Sequence, residues 1–314
     1  MKDTRYATAV ARIRMNENYL MSADDVNRLI GAKSKADAVS IIADSGLCKR
    51  SGDDIDFKRA LSDMWELGLS VAPDKHEFDF LLLDNDFHNL KTALKAVVAN
   101  QNADNLYLKP SVVPVDDIET AVKSQKFDIL PDYMSAPAKT AYHLITQNGD
   151  GQLSDAVLDS AYVTAILKLT ASSDTFLKEL AEMMSASAVM RTAVRCAKMK
   201  KSEEFLKIAI AQCNSLDKDT LILSAQKGID AVKEYLLKTD YSKTAKTLDV
   251  SLSEFERECE NMLLRFCESA KLTSFGPAPI CAYIIKKSAQ IKTARIILTC
   301  KSAQMSEEDI RRRI

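Results

Sequence analysis

The sequence predicts an all-α protein built from three similar helical bundles, and two observations lead to this prediction. The tetrapeptides at residues 90–93, 190–193 and 291–294 all read apolar, basic, Thr, Ala, and they lie about 100 residues apart. That period is the size of a small domain and too long for the units of a solenoid. Only 8 Gly and 7 Pro interrupt 314 residues, so we expect long helices and few or no strands.

The repeat divides the chain into three parts that form one continuous body without flexible linkers. The first helical repeat, with the N-terminal helices, is predicted at residues 1–114, the second at 115–215 and the third at 216–314. Within the second repeat, apolar residues recur every three or four positions, as expected of a half-buried helix. These positions are Leu158, Ala161, Tyr162, Ala165, Ile166 and Leu169.

Charge and hydropathy exclude several classes of protein. The net charge of −1 lacks the positive surplus that phosphate binding requires of a nucleic-acid protein. The most apolar run, at residues 280–285, is far shorter than a membrane span. Lys2, Asp3 and Arg5 carry charge where a signal peptide needs apolar residues. We therefore expect a cytosolic protein that does not itself cross the membrane.

The seven cysteines predict neither a zinc site nor a disulfide framework. No C-x-x-C pair occurs, and most of the cysteines lie in apolar helical patterns, where a thiol packs as a small hydrophobic group. We expect reduced, buried cysteines, which is the usual state in a reducing compartment.

Motifs for catalysis or for a bound cofactor are absent from the sequence. The closest glycines, Gly149 and Gly151, are better interpreted as a turn before a helix capped by Ser154 or Asp155 than as a phosphate-binding loop. The single histidines His76, His88 and His143 lack metal-site spacing. We predict no catalytic, cofactor-binding or metal-binding residues.

One cluster leaves an alternative open. Asp84, Asp86 and His88 alternate, as ligands of a cation would. The favoured interpretation is that the two carboxylates cap the helix that follows and offset its dipole. A cavity shared by all three side chains would instead indicate a cation or catalytic site.

Four segments are interpreted as helix junctions. At the first, a helix ends on Lys198, Lys200 and Lys201, and Ser202 begins the next helix. At the second, Ser306 caps a terminal helix that ends on arginines; the alternative is that this segment is a tail that binds a partner. Prolines mark corners at residues 130–137 and 276–279, the first followed by a new helix from about Ala138 and the second by a buried helix.

Further residues carry a resemblance that spans the whole chain. They are Tyr6, Ala11-Arg12-Ile13-Arg14, Asp86-x-x-Asn89-x-Lys91, Asp159-x-x-Tyr162, Val194-Arg195-x-x-Lys198, Glu260-Asn261, Gly276-Pro277-x-Pro279, Tyr283, Ile296-Ile297, Lys301 and Glu308-x-Ile310-Arg311-x-Arg313. In order and spacing they resemble the C subunit of prokaryotic V/A-type rotary ATPases, which is similar to the d subunit of the eukaryotic vacuolar enzyme.

The resemblance implies an all-helical funnel in which the three bundles have pseudo-threefold symmetry. It implies a non-catalytic central-stalk subunit that binds the proteolipid c-ring and the central shaft subunits of D and F type, as a monomer within the complex. It also implies a peripheral position on the cytoplasmic face of the membrane. Transport of protons or of sodium ions is then decided by the ring subunit.

Candidate partner-interface residues are Arg12, Arg14, Arg195, Arg295 and Arg311, each of which is equally suited to an intramolecular contact. Relatives commonly have Lys-Glu-x-Glu where this chain reads Lys287-Ser288-Ala289-Gln290, so contacts of those acids are in doubt here. The second repeat has Ala186 and Val189 where the first has Asp86 and Asn89.

Two alternative functions differ in what they predict. A generic all-helical scaffold or adaptor binds soluble partners only, whereas a rotor subunit binds a membrane ring and a shaft. An all-helical enzyme requires a polar pocket with perturbed carboxylates.

Overall fold

The computed structural model describes residues 3–314 and is almost entirely helical. The prediction that the chain has no signal peptide rests partly on Met1 and Lys2, and these two residues lie outside the described ones. The α-helices are, in chain order, α1 (Ala7–Glu17), α2 (Ala23–Ile30), α3 (Lys35–Asp44), α4 (Phe57–Val71), α5 (Leu83–Ala99), α6 (Val115–Ser124), α7 (Asp132–Gln147), α8 (Gly151–Thr170), α9 (Thr175–Lys198), α10 (Glu203–Ala209), α11 (Lys218–Lys227), α12 (Ile229–Leu236), α13 (Ser242–Lys246), α14 (Leu252–Glu268), α15 (Ala278–Ser302) and α16 (Glu307–Arg311). The predicted all-α class is confirmed.

Short elements complete the secondary structure. The 3-10 helices are Asp3–Tyr6, Lys75–Leu81, Asp104–Leu106, Phe127–Ile129, Thr247–Asp249 and Ser269–Leu272. Strands β1 (Arg50–Ser51) and β2 (Asp54–Ile55) form an antiparallel hairpin in which Arg50 pairs with Ile55. No helix of residues 3–314 is long and apolar enough to cross a bilayer.

The chain folds as two compact units. The first contains the residues up to Lys75 together with Leu264–Ile314, and the second contains His76–Leu263. These units follow the density of contacts within the chain, whereas the three predicted repeats follow internal sequence similarity. The division into three bundles therefore stays a prediction.

The core of the first unit forms around α15. Ile291, Ile297 and Leu298 pack there with residues of α2 and α3, among them Ile30 and Ile42. Nearer the start of α15, Gly68 of α4 meets Ile284, where an added Cβ would lie 2.9 Å from the isoleucine Cδ1. A glycine at this position is what lets the two helices approach so closely.

The core of the second unit is built largely on α9. Its buried side chains Val189, Met190 and Val194 pack with those of the helices from α10 to α14, including Leu206 and Phe255. Along its length, α9 has twelve buried residues.

The repeated tetrapeptides lie within three long helices, α5, α9 and α15. In each one, the apolar first residue and the alanine three positions later are buried. Residues three apart lie on one face of a helix, so the motif marks a helix face that packs closely against its neighbours.

Most predicted helix boundaries are confirmed, and two are wrong. Ser202 and Ser306 cap α10 and α16 through hydrogen bonds from Phe205 and Asp309. The cap of α8, however, is Asp150, which accepts from the N–H of Leu153, because the helix already begins at Gly151. Gly149 lies in the predicted turn, with φ +66°.

Helix α7 begins at Asp132, not near Ala138 as predicted. The prediction treated both prolines of this segment as breaks, but Pro137 lies inside the helix and only Pro131 precedes it. A proline in the second turn removes one backbone hydrogen bond, and the burial of Met134 and Ala138 outweighs that loss.

Burial explains the state of the cysteines. All seven are free and buried, as predicted. Desolvation raises the pKa of the Cys259 and Cys267 thiols to about 12, so both stay protonated and unreactive at neutral pH.

Candidate functional site

Two motif residues of α5, Asp86 and Asn89, hold the segment that connects α5 to α6; we call this pair the loop anchor. Both side chains are fully buried. Asn89 donates to the carbonyl of Leu108 at 2.9 Å and accepts from its N–H at 2.7 Å. Asp86 Oδ1 accepts from the N–H groups of Val112 and Val113 at 2.9 and 3.2 Å. The anchor thus satisfies backbone groups that no helix or strand pairs.

The prediction that Asp84 and Asp86 cap α5 is wrong, whereas their predicted position near the N-terminus of that helix is confirmed. Leu82 is the N-cap residue of α5, and no side chain caps it, although both aspartates lie in the first helical turn. The Asp86 side chain is instead buried, and it accepts hydrogen bonds from the backbone N–H groups of residues 112 and 113 rather than from those at the start of α5. Burial raises the pKa of Asp86 to about 7.

The alternative of a cation site finds no support in the described part of the chain. No group of three or more His, Cys, Asp or Glu side chains there is arranged to hold a metal ion. Asp84 and His88 line a cavity of about 230 Å³, but Asp86 does not. The three side chains of the cluster therefore do not share that cavity.

Three further motif residues, Lys91, Asp159 and Tyr162, link α5 to α8 in the second unit. Lys91 of α5 forms an ion pair with Asp159 of α8, and the rings of Phe87 and Tyr162 meet edge to face with centroids 6.0 Å apart. Burial raises the pKa of Tyr162, so its hydroxyl stays neutral. These contacts orient α5 on α8.

Arg195, one of the candidate interface residues, joins α9 to α14. Its Nε and Nη2 atoms donate to Glu256 Oε1 at 2.9 and 2.7 Å. The pair is largely exposed, so it contributes on the order of 1 kcal/mol or less to stability.

Three of the other candidate arginines also make contacts within the chain. Arg14 pairs with Glu17 at 2.8 Å and donates to the carbonyls of Ala270 and Thr273 at 2.7 and 3.1 Å. Arg295 lies over the ring of Phe57, 5.2 Å from its centroid, and Arg311 donates to Asn27 at 3.0 Å. None of these contacts tests the predicted partner role.

Arg12 differs from the other four because it is exposed and its side chain makes no hydrogen bond or ion pair with residues 3–314. Met15, one helical turn further along α1, is 70% exposed. Arg14 of the same helix ties down the loop from which Leu272 and Phe275 project, with exposures of 92% and 47%.

Sequence reasoning missed Leu272 and Phe275, which are large apolar side chains with nothing to bury them. A signal was present in the sequence: Phe275 directly precedes Gly276 and Pro277, Leu272 lies three residues earlier, and neither belongs to a long apolar period that would form a helix face.

Ser288 and Gln290, where the resemblance implies acids, make contacts inside the protein. Gln290 accepts from the N–H of Met21 and donates to its carbonyl, both at 2.8 Å, and Ser288 contacts the sulfur of Met64 at 3.4 Å. A carboxylate cannot donate a hydrogen bond, so it could not satisfy both backbone groups of Met21 as the Gln290 amide does.

Comparison with known proteins shows the family to which the chain belongs. The profile of the ATP synthase (C/AC39) subunit family matches residues 9–313. The C subunit of the V-type sodium ATPase of Enterococcus hirae is 25% identical over 315 residues, covering 96% of this chain and 95% of that protein. The chain therefore belongs to the ATP synthase (C/AC39) subunit family, the structural, non-catalytic subunits of V-type ATPases.

Proposed function

We propose that this subunit is the socket that couples the rotating shaft to the membrane ring of a V/A-type ATPase, for transport of protons or sodium ions. Its partners would be the proteolipid c-ring on one side and the D- and F-type shaft subunits on the other. The observation that carries the proposal is the family match, which runs through residues 9–313 rather than through an isolated segment.

The internal contacts support a part that transmits torque. A coupling element must deform little under load, and buried networks with satisfied hydrogen bonds are the rigid parts of a protein. The buried side chains of the loop anchor hold the segment after α5 with four hydrogen bonds, and the more exposed Lys91–Asp159 pair joins α5 to α8. The three-bundle, pseudo-threefold funnel and the position on the cytoplasmic face remain part of this proposal.

The docking surfaces would combine charge with exposed apolar area, because apolar contact supplies affinity and charge selects the partner. We propose that Arg12 and Met15 contribute to one of them, and that Leu272 and Phe275 supply exposed apolar area elsewhere in the first unit. Four further arginines remain candidates, and they are Arg14, Arg195, Arg295 and Arg311.

The test is a copurification from the native host. The tagged chain is recovered from membranes solubilised in mild detergent, and its companions are identified by mass spectrometry. We expect a small proteolipid together with shaft and catalytic ATPase subunits. Recovery of soluble partners alone would replace the proposal by the alternative of a helical adaptor.

A further inference from the structure

A cavity of about 570 Å³ lies within the first unit, among α1, α3, α4, α15 and the chain that follows α3. A volume of this size is typical of pockets for small molecules. Its charged lining consists of Lys49, Arg50, Arg59 and Lys287 against the single carboxylate of Asp63. We call it the basic cavity.

The only carboxylate of the lining is shared between two cations. Asp63 Oδ2 lies 3.6 Å from Lys49 Nζ and 3.9 Å from Arg59 Nε. Both distances exceed those of a hydrogen bond, so Asp63 offsets part of the charge and leaves the donors of both side chains available.

Lys287 is the cation that most clearly lacks a counter-ion. It is half-buried on α15, and its Nζ donates to the hydroxyl of the fully buried Tyr283 at 3.0 Å. No carboxylate of residues 3–314 lies within ion-pair distance of it. An ammonium has three donors, so at least two remain for a ligand, and a half-buried cation gains from a bound anion.

Gly46 and Tyr19 pack closely in the wall of the cavity. Gly46 has φ +77°, and a side chain at this position would bring Cβ to 2.7 Å from Cδ1 of Tyr19.

Two further lining residues bear on the charge of the cavity. The Cys48 thiol is buried, which raises its pKa to about 11, so it adds no negative charge at neutral pH. Arg50 donates to the carbonyl of Gly52 at 3.0 Å and forms no ion pair with any residue that the structure describes.

We propose that the basic cavity binds a phosphate-bearing ligand, with Lys287 and Arg59 contacting its phosphate oxygens and Lys49 and Arg50 at the rim. Four cations against one carboxylate suit a ligand with at least two negative charges, such as a diphosphate or a phosphorylated headgroup. This ligand site goes beyond the coupling role and does not depend on it.

The first experiment measures binding of pyrophosphate to the full-length chain by calorimetry at low salt. We expect Lys287→Met and Arg59→Gln each to weaken the affinity about tenfold or more, because each removes a charge-assisted hydrogen bond. Asp63→Asn should strengthen it, because the variant removes the only acid of the lining. Lys58→Met, next to Arg59 but outside the cavity, is the matched control and should change nothing.

Two further probes identify the source of the phosphate. Binding of ADP, without binding to phosphatidylcholine vesicles that contain phosphatidylglycerol, would support a soluble phosphorylated ligand. Vesicle binding that Lys287→Met abolishes would support a lipid headgroup. Absence of binding to all three probes, or binding that neither cavity variant weakens, would overturn the proposal. The strengthening by Asp63→Asn separates a site from misfolding, since a damaged fold does not gain affinity.

Discussion

The loop anchor in the second unit and the basic cavity in the first use polar groups in opposite ways. In the anchor, Asp86 and Asn89 are fully buried, and together they make four hydrogen bonds to the backbone of residues 108–113. In the cavity, Lys287 has a single neutral partner. The motif residues Asp86 and Asn89 are thus committed to the fold, whereas Lys287 keeps donors available to a ligand.

Truncation after Gly276 is expected to have the largest effect on stability, because it removes α15, the helix that carries Lys287 of the basic cavity. It deletes α15 and α16, and with α15 it removes twelve buried residues from the first unit. Loss of several large apolar side chains costs far more than the 5–15 kcal/mol that stabilises a typical domain.

Circular dichroism and copurification with the ATPase complex measure the result. We expect the truncated chain to lose helix and to fail to assemble. If it joined the complex at full occupancy, the first unit would not depend on α15.

Asp86→Ala should cost about 2–4 kcal/mol of unfolding free energy, since it leaves the buried N–H groups of Val112 and Val113 without an acceptor. Urea denaturation measures this cost, and Asp84→Ala, at an exposed position on the same helical turn, is the matched control. A loss below about 0.5 kcal/mol, the usual effect of a surface substitution, would mean that the anchor does not hold the loop.

The pH dependence of stability sharpens the comparison further. The pKa of Asp86 is about 7 in the folded protein and 3.8 without its surroundings, so between these values the folded state retains a proton that the unfolded state has lost. The contribution of Asp86 to the free energy of unfolding is therefore fully present below pH 3.8. It decreases as the pH rises towards 7, by up to about 1.4 kcal/mol per pH unit.

Asp86→Asn keeps an oxygen acceptor but cannot ionise. Its unfolding free energy, measured at a series of pH values, should lack this contribution, while Asp84→Asn should retain it. Equal slopes for Asp86→Asn and the unmodified chain would contradict the assignment.

Arg12→Glu should have the smallest effect on stability, within about 0.5 kcal/mol, because the exposed side chain makes no ion pair with described residues. If the proposed docking surface is correct, the same variant reduces recovery of the complex in the copurification. Lys58→Glu, exposed on α4, is the control for charge reversal. Undiminished recovery would remove Arg12 from the interface.

The sequence predicted the parts of the fold that depend on local order. Ser202 and Ser306 cap helices as expected, because a cap needs only a hydroxyl three residues before a backbone N–H. Pro137 misled the prediction, since the helix around it is held by burial that is not visible in neighbouring residues.

The candidate site was harder to predict because its contacts join distant residues. Asp86 is 26 residues from Val112, and Arg14 is 256 from Ala270, so neither partner follows from local spacing. The resemblance identified Asp86, Asn89 and Lys91 as motif residues without indicating that their contacts are internal.

The sequence by itself determined the all-helical class, the buried state of the cysteines and the family, because periodicity, composition and ordered motifs are properties of the chain. Only the tertiary structure decided that Asp86 is buried against a loop and that Lys287 faces a cavity without a carboxylate partner of its own. Burial and the neighbouring charges set the energy of an ionised group, and both are defined only once distant segments have packed together.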